Sequence, residues 1–422
     1  MEKIFVSCFL FFTCILFSSC SFESSRIVRY QVNEPLVVSA SEFRSSIKRT
    51  DPQTLTTVGK MCFYGGYLYI SDPEKGIHVI DNTNPATPKI LAYIEVLGNS
   101  DLYIYKGRLY ANAWIDLVWF DISNPAQPVL AGRLADVFPE VLPAVPNEYP
   151  CDYEQYTSAQ KSGKIVVGWN LQTRERRETS SWGWGYYEDT VAPPTFLGGN
   201  GVSGSMSRFG LVDHYLYAVI QSEMRILDLS SEQLVSQSNN KIYIPEVETI
   251  FPYKNNLFLG TPNGMLIYSL EDPLNPSFAS QISHLYGCDP VVVADDLAYV
   301  TIRSGNRCGQ TNNELLVINV KDIKNPKQLA SYAMHNPKGL GIDKSCLFLC
   351  DDGLKVFQLT EPQTFMANKI AHFSGMDGYD VIPYNSILMM IADDGLYQYD
   401  YSSLNISSDN KIQLLSVIPI NK

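Results

Sequence analysis

The sequence predicts an all-β protein, a seven-bladed β-propeller built from four-stranded blades. A five-residue strand pattern recurs seven times, at a spacing of roughly 40 residues in most of the chain. Each copy follows a second apolar strand, at a nearly fixed offset in six of the seven cases. Such repetition is typical of propellers, because one unit cannot bury both sheet faces alone. The seven copies occupy residues 77–81, 117–121, 224–228, 265–269, 315–319, 354–358 and 396–400.

Each repeat contains four short strands, which we label A to D in chain order. In the first repeat, the turn dipeptide Gly65-Gly66 separates strand A from the aromatic strand B that begins at Tyr67. The recurring pattern, here 77–81, is strand C. Asn84-Pro85 then forces a turn, because proline fixes its own φ and lacks an amide hydrogen. The apolar run 89–93 is strand D.

The repeats place the propeller within residues 59–422, as one domain with an insertion at about 140–204. Lys164–Trp169 inside the insertion resembles a strand C, so eight blades are an alternative. No Leu-Tyr pair precedes it at the expected offset, and we interpret it as an inserted hairpin instead. The predicted units are 59–96, 97–139, 205–244, 245–285, 286–335, 336–375 and 376–420.

The N-terminus has the pattern of an export signal. Lys3 precedes an apolar run from Ile4 to Phe17, whose 14 residues are too few to span a bilayer as a helix. Ser18-Ser19-Cys20 then resembles a bacterial lipobox. We therefore expect a signal peptide at 1–19, acylation of Cys20, a tether and lead-in segment at 20–58, and attachment to the cell envelope. The alternative is an ordinary signal peptide with a chance cysteine.

Ser21 after Cys20 favours the outer membrane, by analogy with bacterial lipoprotein sorting. The net charge of −12 makes nucleic acid and anionic lipid improbable partners. The arginines of the insertion alternate with glutamates, as on a solvated hairpin face, over residues 174–178. We expect a monomeric propeller that meets the membrane only through its lipid anchor.

Six cysteines remain after the signal segment and Cys20 are set aside. Cys288 begins strand A of the fifth unit and Cys308 lies in its enlarged B–C loop, so the two can meet on one face. We predict a disulfide between them. Closing this loop would raise the free energy of unfolding by roughly 3 kcal/mol. Cys346 and Cys350 share a strand face about 13 Å apart, beyond disulfide reach. They are predicted to be buried thiols, as is Cys62, whereas Cys151 stays unassigned.

The strand C pattern, the Leu-Tyr strand before it and the Asn-Pro turn after it resemble the LVIVD-repeat family of exported bacterial β-propellers. Three segments, at 163–169, 287–290 and 304–308, resemble its lipoprotein branch in Bacteroidetes. Copies at Leu266 and Leu396 depart from the consensus. The resemblance implies the fold and the compartment. It implies no activity and no catalytic residue.

Blade topology sorts the loops between two faces. The A–B and C–D loops are short and repetitive, whereas the D–A and B–C loops carry the insertion and the 304–313 loop. Irregular loops on a rigid scaffold favour binding, so we place the contact surface on the D–A/B–C face. Aromatic side chains are the candidate anchors; alternatively, the insertion folds down and buries its own. The anchors are Trp114, Trp182, Trp184, Tyr186 and Tyr187.

Asp101, Asp289 and Asp380 begin strand A in three units, and A strands are innermost. These carboxylates are therefore expected near the mouth of the central channel, where they could attract calcium. The alternative is that each accepts hydrogen bonds from backbone amides in a turn. No other cofactor or metal is predicted.

Signals for catalysis are weak. The five histidines fall in different units, and the chain has no zinc signature, nucleophile elbow or phosphate-binding loop. The leading hypothesis is a non-enzymatic binding scaffold for a protein or a glycan of the envelope. The alternative is an enzyme that acts on envelope polysaccharide or peptide at the channel mouth. A purely structural subunit of an envelope complex is a third interpretation.

Overall fold

Seven antiparallel sheets of sequential strands surround one axis in the computed structural model, so the seven-bladed propeller is confirmed and the eight-bladed alternative is wrong. The A strands of successive blades contact each other, which places them innermost. The structure describes residues 25–57, 59–139, 141–179, 207–220, 222–231, 241–244, 247–283, 290–303, 312–404 and 411–421.

Five elements lie before the first blade or in the insertion. They are β1 (Ser25–Ser39), α1 (Ala40–Ser45), β2 (Lys48–Thr50), α2 (Tyr153–Lys161) and β11 (Lys164–Thr179). The first three blades contain β3 (Met61–Tyr64), β4 (Tyr67–Asp72), β5 (Gly76–Asp81), β6 (Lys89–Glu95); β7 (Leu102–Tyr105), β8 (Arg108–Ala113), β9 (Asp116–Asp121), β10 (Val129–Leu134); β12 (Phe209–Val212), β13 (Tyr215–Ile220), β14 (Glu223–Asp228) and β15 (Lys241–Tyr243).

The remaining four blades follow the same order from strand A to strand D. They contain β16 (Thr249–Tyr253), β17 (Asn256–Thr261), β18 (Gly264–Ser269), β19 (Ser277–Ser283); β20 (Val291–Ala294), β21 (Leu297–Ile302), β22 (Glu314–Asn319), β23 (Lys327–Ala333); β24 (Leu340–Asp343), β25 (Cys346–Cys350), β26 (Leu354–Gln358), β27 (Lys369–Phe373); β28 (Gly378–Tyr384), β29 (Ile387–Ala392), β30 (Gly395–Asp400) and β31 (Gln413–Pro419). A short 3-10 helix, Phe365–Ala367, precedes β27.

The B and C strands are buried on both faces, since each blade is covered by a neighbour on either side. In blade 1, Ile77 and Val79 face blade 2 in one core cluster, whereas Ile70 and Ile80 pack against blade 7 in another. This double burial explains why the strand C pattern is an almost continuous apolar run.

The last residue of the strand C pattern shapes the turn that follows. The Asp81 carboxylate accepts a hydrogen bond from the amide of Thr83 at 3.0 Å, and Asp121 accepts one from Ser123 at 2.8 Å. Hydrogen bonds from the hydroxyl and the amide of Thr83 lower the pKa of Asp81, and those from the amide and the hydroxyl of Ser123 lower the pKa of Asp121. Because the side chain satisfies a backbone donor in the turn, the acid has a structural role here. The same bond recurs from Ser230 to Asp228, Lys321 to Asn319 and Ser402 to Asp400.

A register shift recurs between strands C and D. In six blades strand D has one extra residue near its middle, so its pairing with strand C shifts by one residue. In blade 1 this shift lies opposite Val79 and Ile80 of strand C. A bulge of this kind increases the local twist. It was not predicted, because the extra residue leaves no mark on the composition of the strand.

The N-terminal segment is more ordered than the sequence suggested. Within the expected tether and lead-in segment, β1 pairs antiparallel with β11 of the insertion, and β2 adds a fifth strand to the outer edge of blade 1. The described partner of β11 is thus an N-terminal strand, where a hairpin within the insertion was predicted. The helices in the described part of the chain are all too short or too polar to cross a membrane.

Candidate functional site

At the channel mouth on the D–A/B–C face, buried charged side chains connect neighbouring blades. Asp101 is 4% exposed, and its carboxylate accepts hydrogen bonds from the amides of Leu102 at 2.8 Å and Arg208 at 2.5 Å. Burial raises the pKa of Asp101, while the charge of Lys60 opposes that shift. Asp101 therefore links blade 2 to blade 3, as the turn-bonding alternative expected.

A second charged contact lies between blades 6 and 7. The Lys338 ammonium, in a residue 7% exposed, is 2.5 Å from the Asp377 carboxylate and 4.1 Å from the centre of the Tyr379 ring. Its backbone carbonyl accepts a hydrogen bond from the Thr301 hydroxyl at 2.8 Å. Lys338 thus connects three consecutive blades.

Asp380 lies beside this lysine and is fully buried. It follows a register shift in β28, where the pairing with β29 passes from Gly378 to Asp380. A Cβ added at Gly339 would lie 2.4 Å from the Asp380 carboxylate, so the blade 6 backbone approaches Asp380 as closely as glycine allows. The amide of Gly339 donates to the carbonyl of Tyr379 at 2.8 Å.

The mouth consequently mixes both signs of charge. Its carboxylates were predicted from the sequence, but the bases Lys60, Arg208 and Lys338 were not. Lys60 and Arg208 directly precede a strand A, as Asp101 does, and Lys338 lies two residues before one. Comparing the two residues before strand A from unit to unit would have found them. No group of three histidine, cysteine or acidic side chains within the described ranges is placed to hold a metal ion. Asp289 lies outside those ranges, so calcium stays an untested expectation.

A cap, consisting of β1, α1, α2 and β11, covers the same face over blades 1 and 2. The Asp116 carboxylate, which is fully buried at the start of β9, holds the cap in place. It forms ion pairs with Arg44 of α1 at 2.9 Å and with Arg133 of β10 at 2.7 Å. Arg133 also donates to the backbone carbonyl of Arg44 at 3.0 Å. One carboxylate therefore attaches the N-terminal segment to the propeller.

Apolar packing under the cap includes Trp114, and this changes one predicted anchor. Trp114 is 4% exposed and belongs to the core cluster that joins blades 1 and 2 with Phe43 and Ile165. A Cβ at Gly98 would be 2.2 Å from its indole ring. Trp114 is therefore not an exposed anchor, because the cap covers it. Burial had been considered only for the aromatic residues of the insertion, to which Trp114 does not belong.

The remaining candidates lie outside the described residues. They are the lipidation site Cys20, the disulfide pair Cys288 and Cys308, the carboxylate Asp289, and the aromatic anchors Trp182, Trp184, Tyr186 and Tyr187. Each of these stays a prediction.

None of the thiols that the structure describes is in a disulfide. Cys346 and Cys350 are buried in β25, as predicted, and Cys62 is half-buried. Burial raises the pKa of Cys62 to about 11 and that of Cys350 well above its usual range. Thiols with raised pKa values are poor nucleophiles, so these residues act as small core side chains.

Comparison with known proteins agrees with the repeat analysis. The model of the LVIVD repeat family matches residues 59–93 and 100–136, which are blades 1 and 2. The first two blades therefore carry LVIVD repeats. A search of curated proteins finds no match.

Three solved structures with some similarity to this chain are distant from it in both sequence and backbone. The computationally designed Ika8 protein has a TM-score of 0.47 at 10% identity, over 87% of this chain and 90% of that one. Kluyveromyces lactis Hsv2 has a TM-score of 0.44 at 10% identity, over 87% and 98% of the two chains. The N-terminal domain of Nup159 has a TM-score of 0.35 at 13% identity, over 50% and 60%.

Proposed function

We propose that this protein is a cell-envelope lipoprotein whose propeller is a non-enzymatic binding scaffold for a protein or a glycan. Its contact surface is the D–A/B–C face, and its lipid is carried by Cys20. The proposal follows from the export signal, from the LVIVD repeats of blades 1 and 2, and from the contrast between the two faces of the propeller.

The contrast between the faces is the observation that carries the proposal. On the C–D side, blade after blade repeats one turn, in which the last side chain of strand C accepts a hydrogen bond from the amide two residues later. On the D–A/B–C side lie the cap and the buried charges of the channel mouth. Specific recognition needs a surface that differs from blade to blade, and irregular loops provide such a surface.

Buried charges at the mouth support a binding surface with a rigid centre. Lys338 and Asp101 each join neighbouring blades, so the loops around them are fixed before a partner arrives. Preorganisation of this kind lowers the entropic cost of binding. The outer anchors are the aromatic residues of the insertion, with Trp182 and Trp184 as the central pair.

Co-purification tests the scaffold role. The full-length protein, extracted from bacterial membranes in mild detergent, should retain an envelope partner that the Trp182→Ala/Trp184→Ala variant loses. Truncating one aromatic anchor typically costs about 2 kcal/mol or more, roughly 30-fold in affinity. Equal recovery of the partner by both proteins would refute the anchor pair.

Labelled palmitate tests the compartment. The wild-type chain should incorporate palmitate and sediment with the membranes, whereas Cys20→Ala should do neither. Membrane association that survives in Cys20→Ala would show that the lipid anchor is wrongly assigned.

A further inference from the structure

The ribbon formed by β1 and β11 connects the propeller to the chain that leads to Cys20. We infer that this ribbon orients the protein, so that the D–A/B–C face of the propeller is turned toward the membrane surface and the C–D turns point away. The inference rests on the proposed acylation of Cys20. In this orientation the cap lies between the propeller and the lipid bilayer.

The base of the ribbon is fixed to blades 1 and 2. Val38 of β1 packs against the core cluster that contains Phe43 of α1 and Ile165 of β11. Next to it, Arg44 is bound to the buried Asp116 carboxylate at 2.9 Å. The amide of Ala144 donates to Glu74 in the B–C turn of blade 1 at 3.1 Å. Apolar burial and a buried ion pair thus hold the base on the D–A/B–C loops.

The middle of the ribbon is supported by the insertion. Asn33 is fully buried, and its side-chain amide donates to the carbonyl of Tyr149 at 2.7 Å. Arg174, the partner of Tyr30 across the ribbon, lies 2.6 Å from both Glu34 and Asp152. These contacts join both strands to the segment before α2, so the ribbon cannot hinge freely at its base.

The far end of the ribbon is exposed to solvent. Ile27 is 57% exposed, and the pair formed by Arg29 and Glu175 at 2.9 Å has side chains 77% and 53% exposed. The register ends with Ser25 opposite Thr179. Over the 15 residues of β1, a strand extends about 50 Å at ~3.3 Å per residue.

The lipid attachment point is close to this exposed end. Cys20 precedes Ser25 by five residues, a length of chain that reaches at most about 18 Å. The bilayer surface must therefore lie near the exposed end, while the base stands on the D–A/B–C face. A free tether over 20–58 would leave the orientation random, whereas β1 and the cap fix the chain from residue 25 onward.

The ribbon has a net positive charge, because β1 and β11 contain six arginine and lysine residues and three glutamates. Arg29 and Arg174 are each matched by a carboxylate, and the Arg176 guanidinium lies 5.9 Å from the centre of the Tyr30 ring. Phosphatidylcholine is therefore the lipid for the test, since its neutral headgroup leaves the ribbon alone to set the orientation. The lipid chain supplies the affinity and the ribbon supplies the direction.

Energy transfer to labelled lipids tests the orientation. Two exposed positions on opposite faces of adjacent blades accept a fluorophore: Asp394→Cys in the B–C turn of blade 7, and Asn84→Cys in the C–D turn of blade 1. Each is made in the acylated full-length protein with Cys151→Ser, reconstituted into phosphatidylcholine vesicles that contain an acceptor lipid. The Cys151→Ser parent measures labelling of the other native thiols.

We expect stronger energy transfer from position 394 than from position 84. Adding Asp116→Ala, which detaches α1 from blade 2, should abolish that difference while the protein stays bound to the vesicles. Equal transfer from the two positions in the parent, or stronger transfer from position 84, overturns the orientation and leaves the proposed lipoprotein standing. A chain that incorporates no palmitate overturns both.

Discussion

The Gln398 side-chain amide of blade 7 donates a hydrogen bond to the Asn82 side-chain oxygen of blade 1 at 2.6 Å, inside the protein and across 316 positions of the chain. The blades are contiguous in sequence, so no strand is exchanged to close the ring. Closure depends instead on this bond, on the shared core cluster around Leu55 and Met389, and on the Asn421 amide, which donates to the Leu55 carbonyl at 2.8 Å.

Replacing Gln398 by methionine should weaken the closure of the ring. The side-chain volume is kept, but the buried oxygen of Asn82 loses its donor, which costs about 1–3 kcal/mol. The expected result is a lower urea midpoint and faster hydrogen exchange in blades 1 and 7. Gln413→Met on the exposed strand β31 is the matched control and should behave as the wild type. Faster exchange spread evenly over all blades would argue against a local closure.

His78 should make the protein less stable in acid. It is 1% exposed in strand C of blade 1, its ring nitrogens have no hydrogen-bond partner among the described residues, and its ring lies 4.8 Å from that of Tyr93. Burial lowers the pKa of His78 from 6.5 to about 4. Between these values the unfolded chain binds more protons, so the free energy of unfolding falls as the pH drops from 6.5 to 4.

The full effect of His78 is about 3 kcal/mol, and stability should be independent of this group above pH 7. His78→Phe keeps an aromatic ring and removes the titration. Unfolding curves at a series of pH values should show a smaller loss of stability in this variant between pH 6.5 and 4. Parallel curves for the two proteins would mean that His78 is not the group responsible.

Asp116→Ala should release the cap from the propeller. The substitution leaves Arg44 and Arg133 without their shared carboxylate, and breaking a buried ion pair costs about 3 kcal/mol or more. Limited proteolysis should then cut within residues 40–57 much faster than in the wild type. Asp136, whose side chain is 62% exposed, also contacts Arg44. Its backbone φ of 56° suits asparagine better than alanine, so Asp136→Asn is the control that should change little.

Gly339→Ala should destabilise the junction of blades 6 and 7. The added methyl group would lie 2.4 Å from the Asp380 carboxylate and 2.6 Å from the Tyr379 carbonyl, and the backbone cannot yield without shifting strand A of blade 7. Overpacking of this kind costs about 1–3 kcal/mol. Gly168→Ala, which meets only the end of the Leu36 side chain at 3.4 Å, is the control and should be tolerated. Thermal unfolding of both variants measures the difference.

The sequence was sufficient for the blades because their determinants are local. Apolar strands, turn dipeptides and the acid that ends strand C lie within one repeat, and all recur. In blade 4 a serine, Ser269, replaces the acid that ends strand C. Its hydroxyl accepts a hydrogen bond from the amide of Glu271 at 3.4 Å, so the turn keeps the same local contact. The count of seven blades followed from these signals alone.

The site was less predictable because its contacts are long-range. Arg44 meets Asp116 across 72 positions, and Glu34 meets Arg174 across 140. No local pattern reports such pairs. Trp114 was misjudged for the same reason: its neighbourhood reads as a surface turn, but Phe43 and Ile165 cover it from distant parts of the chain. The bases of the channel mouth were not predicted, because only the acids at the start of strand A suggested a ligand.

Site-specific photo-crosslinking in growing cells tests most directly that the D–A/B–C face is the contact surface. A photoreactive amino acid would be placed at the exposed Asp352 and Asn263 in B–C turns, and at the exposed Asn84 and Asn325 in C–D turns. We expect crosslinked species of higher mass from positions 352 or 263 and none from positions 84 and 325. Crosslinks that arise only from the C–D turns, or equally from both faces, would show that the D–A/B–C face is not the contact surface.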